Sequence, residues 1–121
     1  MAQTRRDAPD PLTFLPLTPV VFEILLSLAD EDRHGYSIIR EVGDRTGAPL
    51  RPGTLYRALG RLHDDRLVEE LDERPDPGVD DERRRYYRMT PLGRDVARAE
   101  AQRLDEQVAH ARARRLLKGA R

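Results

Sequence analysis

Two arginines four residues apart, Arg57 and Arg61, are the side chains of this 121-residue chain best suited to chemistry on a polyanion. On a helix that spacing puts both on one face, where a guanidinium can meet guanine O6 and N7 with two hydrogen bonds or clamp a phosphate. Without a partner the same pair would simply be a solvated helix face. Just upstream stand Arg51, Gly53, Thr54 and Tyr56. If Pro52 opens the helix, the free amides of Gly53 and Thr54 lie at its positive end, which favours a phosphate oxygen, and glycine permits close backbone approach. The Tyr56 hydroxyl can donate to a phosphate, or the ring can lie half packed under a wing; spacing alone leaves both open. In a second basic run, Arg83, Arg84, Arg85 and Arg88, the first three can reach backbone or minor groove, although Asp80, Asp81 and Glu82 beside them offer internal partners.

Other chemistry finds little support. With no cysteine, disulfides, thiolate metal sites and thiol nucleophiles are excluded. His34, His63 and His110 lack metal-ligand spacing, and Asp30, Glu31 and Asp32 read as a solvated turn, so neither a metal nor another cofactor is expected. Ser27 and Ser37 sit inside helical patterns, and no glycine-rich phosphate loop or catalytic triad can be assembled, so no enzyme is expected. The 22 basic and 22 acidic side chains cancel, which argues against the basic footprint of a non-specific nucleic-acid binder. Their distribution is uneven: acids dominate from Glu23 to Arg45, while Arg51, Arg57, Arg61 and Arg66 form one basic stretch and Arg83 to Arg88 another. No apolar run approaches the roughly 20 residues of a membrane span, since Glu23 and Ser27 interrupt Val20 to Leu28. Met1 to Pro11 lacks the apolar region of a signal peptide, so a cytoplasmic location with no membrane partner is the expectation.

The elements that must position these arginines follow from caps and periodicity. Residues 1–12 read as a disordered arm, either a plain tail or a groove-inserting one. Thr18 and Pro19 start a first helix, whose stripe of Val20, Val21, Ile24, Leu25 and Leu28 carries it to about Asp30 to Asp32. After a turn at His34 and Gly35, a second helix holds Tyr36, Ile38, Ile39 and Val42 and stops at Thr46 to Pro49. The third, 52–65, repeats Leu55, Ala58, Leu59 and Leu62 at steps of three and four, so Leu55, Leu59 and Leu62 should face the core. Three helices with short connections suggest a helix-turn-helix. Leu67, Val68 and Leu71 then form a strand, as do Tyr86 to Met89, with a long tip between them: a hairpin of the kind called a wing. Thr90 and Pro91 repeat the first cap and open a long helix to about Leu117. The fold class is therefore mainly α with a small β-hairpin: a winged helix-turn-helix over 13–90 and a C-terminal helix over 91–118.

On that last helix Ala97, Ala101, Leu104, Val108 and Ala111 alternate steps of four and three, the spacing of a coiled-coil seam. A helix of roughly 25 residues, about 40 Å long, outgrows so small a core. It folds back along the first helix of its own chain or meets a second copy, and the second option covers Leu104, Val108, Leu116 and Leu117.

These blocks together resemble the PadR family of winged-helix transcription regulators. His34, Gly35 and Tyr36 resemble the family's HGY opening of helix two. The stretch Gly53, Thr54, Leu55, Tyr56, Arg57, Ala58, Leu59, Arg61 and Leu62 is similar to its GTLYxxLxRL recognition motif, and Arg85, Tyr86, Tyr87, Arg88, Thr90 and Gly93 to its wing-to-last-helix block. The likeness covers about Leu17 to Ala111. It implies a homodimer held by the last and first helices, Leu25 included, with two recognition helices in successive major grooves of a palindromic operator and repression as the outcome. It also supports a phosphate contact for Tyr56. The DNA-facing set is then Tyr36, Arg51, Gly53, Thr54, Tyr56, Arg57, Arg61, Arg83, Arg84 and Arg85, with double-stranded DNA and a second copy as partners. The alternative is a winged-helix module that binds protein and no DNA. There is no room for a separate effector domain, so any small-molecule effector, unidentified by the residues, would sit between the recognition domain and the dimer helices. Two departures stand out: Arg66 replaces the family's usual glycine before the first strand, and Arg51 stands at a capping position better served by serine or threonine.

Overall fold

Thr18 has extended backbone angles and its hydroxyl accepts from the Val21 amide at 3.2 Å, while Pro19 needs no such partner, so helix α1 starts there and runs Pro19–Ser27. Thr90 and Pro91 do the same for the last helix, with the Gly93 amide donating to the Thr90 hydroxyl at 2.9 Å. The structure, a computed structural model, describes residues 9–71 and 85–118. After a 3-10 turn at Pro11–Phe14 and α1, the order is β1 Arg33–His34, α2 Gly35–Thr46, α3 Pro52–Asp64, β2 Val68–Leu71, β3 Tyr86–Met89 and α4 Pro91–Ala113.

The three strands form one antiparallel sheet in the order β1-β3-β2, with Val68 opposite Met89, Leu71 opposite Tyr86, and His34 also opposite Tyr86. The hairpin of β2 and β3 is the expected wing. Strand β1 is an addition, and it comes with a shorter α1. The helix stops at Ser27 because Leu28 and Ala29 close it with tight bonds to Leu25 and Leu26, and Arg33 reaches back to donate to the Ser27 carbonyl at 2.6 Å. The chain is thereby free to extend alongside β3.

One core joins these elements. Ile24, Leu25 and Leu28 of α1 meet Ile38 and Val42 of α2 and Leu55, Leu59 and Leu62 of α3, and Val68, Tyr87, Met89 and Val96 close the cluster from the wing and α4. The three leucines of α3 therefore face inward as their spacing requires, which turns Arg57 and Arg61 outward. The expected end of the arm at 12 falls inside the 3-10 turn, which Asp10 caps by accepting from the Leu12 amide at 3.0 Å and which packs against α4.

Helix α3 ends with the backbone bonds of a Schellman motif: Leu67 N–H to Leu62 O at 2.8 Å and Arg66 N–H to His63 O at 3.0 Å, with Arg66 at φ 64°. That is the left-handed conformation glycine adopts freely, and here an arginine holds it. A left-handed non-glycine residue costs about 1 to 2 kcal/mol, while a glycine loses roughly 0.4 to 1 kcal/mol through the freedom it adds to the unfolded chain. Arg66→Gly should therefore raise stability by about 0.5 kcal/mol, read as a higher urea midpoint with an unchanged slope. Helix α4 closes in the same way at Arg115, φ 63°, with Leu116 N–H bonded to Ala111 O at 2.9 Å, so it ends at Ala113, short of Leu117.

Candidate nucleic-acid interface

Arg51 precedes α3 in extended conformation, and no side chain caps the helix start. The amides of Gly53 and Thr54 thus stand at the positive helix end without a side-chain acceptor from Arg51, and Gly53 is exposed. A methyl group built on Gly53 would lie 3.4 Å from an Arg57 guanidinium nitrogen, so the Arg57 side chain extends back over the helix start. Arg61 follows one turn later on the same exposed face. Among the described residues, no hydrogen bond or ion pair engages the side chain of Arg51, Arg57 or Arg61.

Most other arginines are committed within the fold, which gives this absence its weight. Arg33 joins the Ser27 carbonyl, the Ser37 hydroxyl and the carboxylates of Asp30 and Glu31. Arg45 pairs with Glu41 one turn earlier in α2, 2.8 Å away, and fastens α2 to α1 through Glu23. Its hydrogen bond to Glu41 holds that carboxyl below its ordinary range, and the arginine is raised well above its own. Arg88, in the second basic stretch, pairs with Asp32 at 3.0 Å across the β1 loop, and Arg85 pairs with Glu70 of β2 at 3.2 Å. Arg85 thus meets a carboxylate of the facing strand. Arg83 and Arg84, with Asp80, Asp81 and Glu82, lie outside the described residues.

The aromatic members sit at the start of α2. His34 caps that helix, its Nδ1 accepting from the Ser37 amide at 3.0 Å, while its ring meets Tyr86 edge-on at 5.3 Å between centroids. Tyr36 is 55% exposed and lies over His34 at 6.5 Å. Tyr56 is half-buried and packs its ring across Gly35: a methyl group on that glycine would stand 2.3 Å from the Tyr56 hydroxyl oxygen. This packing is against α2, not under the wing, and it is why the HGY motif needs its glycine.

On α4, Val108 is 37% exposed and Ala101 is exposed, with Leu104 and Ala111 half-buried and Ala97 packed on the core. Leu25 is a correction. It lies wholly inside the core of its own chain and has no surface to offer a second copy. Its neighbour Leu26, about 100° round the helix, is the exposed apolar residue of α1. Glu100 was not foreseen: it is 2% exposed in the middle of α4, held by Arg103 through two bonds of 2.8 Å. These bonds, and more weakly the Leu17 amide, keep its carboxyl below the ordinary range against the opposing effect of burial. A carboxyl depressed in the folded state stabilises fully above its unfolded value near 4.5 and ceases to do so as pH falls through its native value. The stability gap between the protein and Glu100→Gln should therefore shrink as pH drops below about 4.5 in urea titrations at stepped pH.

The winged arrangement of α2, α3 and the hairpin has clear counterparts. The family model described as "Transcriptional regulator PadR-like family" matches residues 24–99. The chain belongs to this family. A transcriptional regulator of Mycobacterium tuberculosis, Rv3488, is 38% identical over 87 residues, covering 72% of this PadR-family chain and 77% of its own length. An uncharacterized 37.1 kDa protein of transposon Tn4556 from Streptomyces fradiae is 38% identical over 78 residues, 64% of this chain, which spans only 21% of that protein. The crystal structure of a PadR family transcription regulator from Clostridium difficile superposes with a TM-score of 0.69 at 25% identity, covering 79% of this chain and 97% of that one. The family is one of transcriptional regulators. Among the described residues of this PadR-family chain, no group of three acidic, histidine or cysteine side chains could hold a metal ion, and no helix is long and apolar enough to cross a membrane.

Proposed function

We propose that the chain binds operator DNA as a homodimer and represses transcription in the cytoplasm, with α3 as its reading helix. The observation that carries this is the outward face of α3, where Arg57 and Arg61 engage no acid among the described residues while Arg33, Arg45, Arg85, Arg88 and Arg103 each hold one. Uncommitted guanidinium groups beside an uncapped helix start supply base contacts and a phosphate site on one surface. Arg51, Gly53 and Thr54 would hold the backbone at the helix start, and Tyr36, exposed beside it, would reach the flanking strand. For Tyr56 the packed ring supports a positioning role, setting α3 against α2, with its hydroxyl as a secondary phosphate contact.

One reading helix covers too few base pairs to specify a site, so the dimer matters as much as the arginines. Leu104, Val108, Ala101 and Ala111 support a seam along α4, continued by Leu116 and Leu117, which are 75% and 46% exposed. Leu104→Glu combined with Val108→Glu should shift the protein to a monomer in sedimentation equilibrium. It should also weaken operator binding at least tenfold, about 1.4 kcal/mol, without touching α3.

The test is a mobility shift with duplex from upstream of the chain's own coding region, over a salt series. Salt-sensitive retardation, with a rise in the downstream transcript when the gene is deleted, is the expected result. If no duplex from that region or from a genomic library binds while a protein partner is retained, the winged helix is an interaction module.

A further inference from the structure

A cavity of about 380 Å³ opens beside α3, between that helix and the segment that leads into α1. Small-molecule sites begin at roughly 300 Å³, so the space suits a compact ligand. Its walls are apolar on both sides: Phe14, Leu17 and Val21 face Ala58 and Leu62. Arg57 and Arg61 line it as well, with the carboxylate of Asp65 at one end, so its fixed charge is net positive.

We propose that this cavity binds a small organic anion with an apolar body, of the medium-chain carboxylate class. An apolar tail gains by burial against Phe14, Leu17 and Val21, at roughly 25 cal/mol per Å². The head group meets two guanidinium groups that no described acid neutralises, one of which can engage both carboxylate oxygens. A cationic or zwitterionic ligand is disfavoured by the same pair. Because the head group occupies the arginines assigned to DNA, ligand and operator exclude one another; this part rests on the DNA-binding reading above. The ligand then acts as an inducer at the reading helix itself, without a change in the spacing of the two helices.

The test is a titration of the full-length ¹⁵N-labelled protein with octanoate, followed by amide shifts, with 1-octanol as the uncharged control. Saturable shifts at Leu17, Val21, Ala58 and Leu62, at least tenfold weaker binding of octanol, and loss of binding in Arg57→Gln with Arg61→Gln are the expected results. Shifts confined to α4, or octanol binding as well as octanoate, would overturn the proposal. Adding octanoate to a preformed complex with duplex should release the DNA, and a ternary complex would overturn the exclusion. A protein that takes octanoate at this cavity but no duplex at all would defeat the DNA-binding reading and leave the anion site standing.

Discussion

Gly93→Ala should cost the protein about 2 kcal/mol or more of stability, although alanine ordinarily favours a helix by about 1 kcal/mol over glycine. The added carbon would sit 2.0 Å from the Leu67 carbonyl oxygen and 2.9 Å from the Met89 side chain. A methionine can bend away, but the carbonyl cannot. It accepts from the Thr90 amide at 3.0 Å, and the Thr90 hydroxyl donates to the adjacent Arg66 carbonyl at 2.7 Å. Relief of the clash requires α4 to lift off the start of the wing, loosening the packing of Val96 on the core. A fall in melting temperature of roughly 10 °C is the expected readout for a domain of this size. An unchanged melting temperature would mean that α4 does not approach Leu67 this closely.

The second large effect concerns recognition. Arg57→Ala and Arg61→Ala should each weaken operator binding by about 1 to 3 kcal/mol, and the double variant should approach non-specific affinity. Neither change should alter stability by more than about 0.5 kcal/mol, because both side chains are exposed and engage no described partner. Arg98→Ala serves as control: it is an exposed arginine of α4 whose only described partner is Asp95, at 3.6 Å. Salt series separate the two roles. A phosphate contact, once removed, weakens binding equally across sequences and lowers the salt slope by about 1, whereas a base contact relaxes preference at one position. Fluorescence anisotropy on matched and scrambled duplexes reads both. Equal affinity of the double variant and the parent would remove α3 from the interface.

Much of this arrangement is legible in the residues because it rests on local rules. Thr18-Pro19 and Thr90-Pro91 are helix starts whatever surrounds them, and Leu55, Leu59 and Leu62 have only one way to share a helix face. What escaped depends on contacts between distant segments. Strand β1 is two residues long, too short for alternation, and exists because β3 lies beside it. The commitment of Arg88 to Asp32 spans 56 positions and removes a residue that looks, in sequence, like part of a basic patch. Glu100 interrupts a small-residue seam with a charge that reads as solvent-facing until Arg103 and the Leu17 amide are seen to enclose it.

Leu25 and Leu26 show the opposite case, a mistake that local rules could have prevented. Ile24, Leu25 and Leu28 lie within one apolar stripe at steps of one, three and four, which assigns Leu25 to its own core and leaves Leu26 outside. Arg66 stands between the two cases. Its departure from glycine is visible in the sequence, and the structure shows that the backbone keeps the left-handed turn regardless.

The most direct test of a DNA-binding dimer read through α3 is selection from a pool of random duplexes by the purified protein, in parallel with the Arg57→Ala, Arg61→Ala variant. The parent should enrich a palindrome whose half-sites are centred about 10 base pairs apart, one helical turn, and the variant should lose that motif. No enriched motif from the parent, or the same motif from both proteins, would contradict the account.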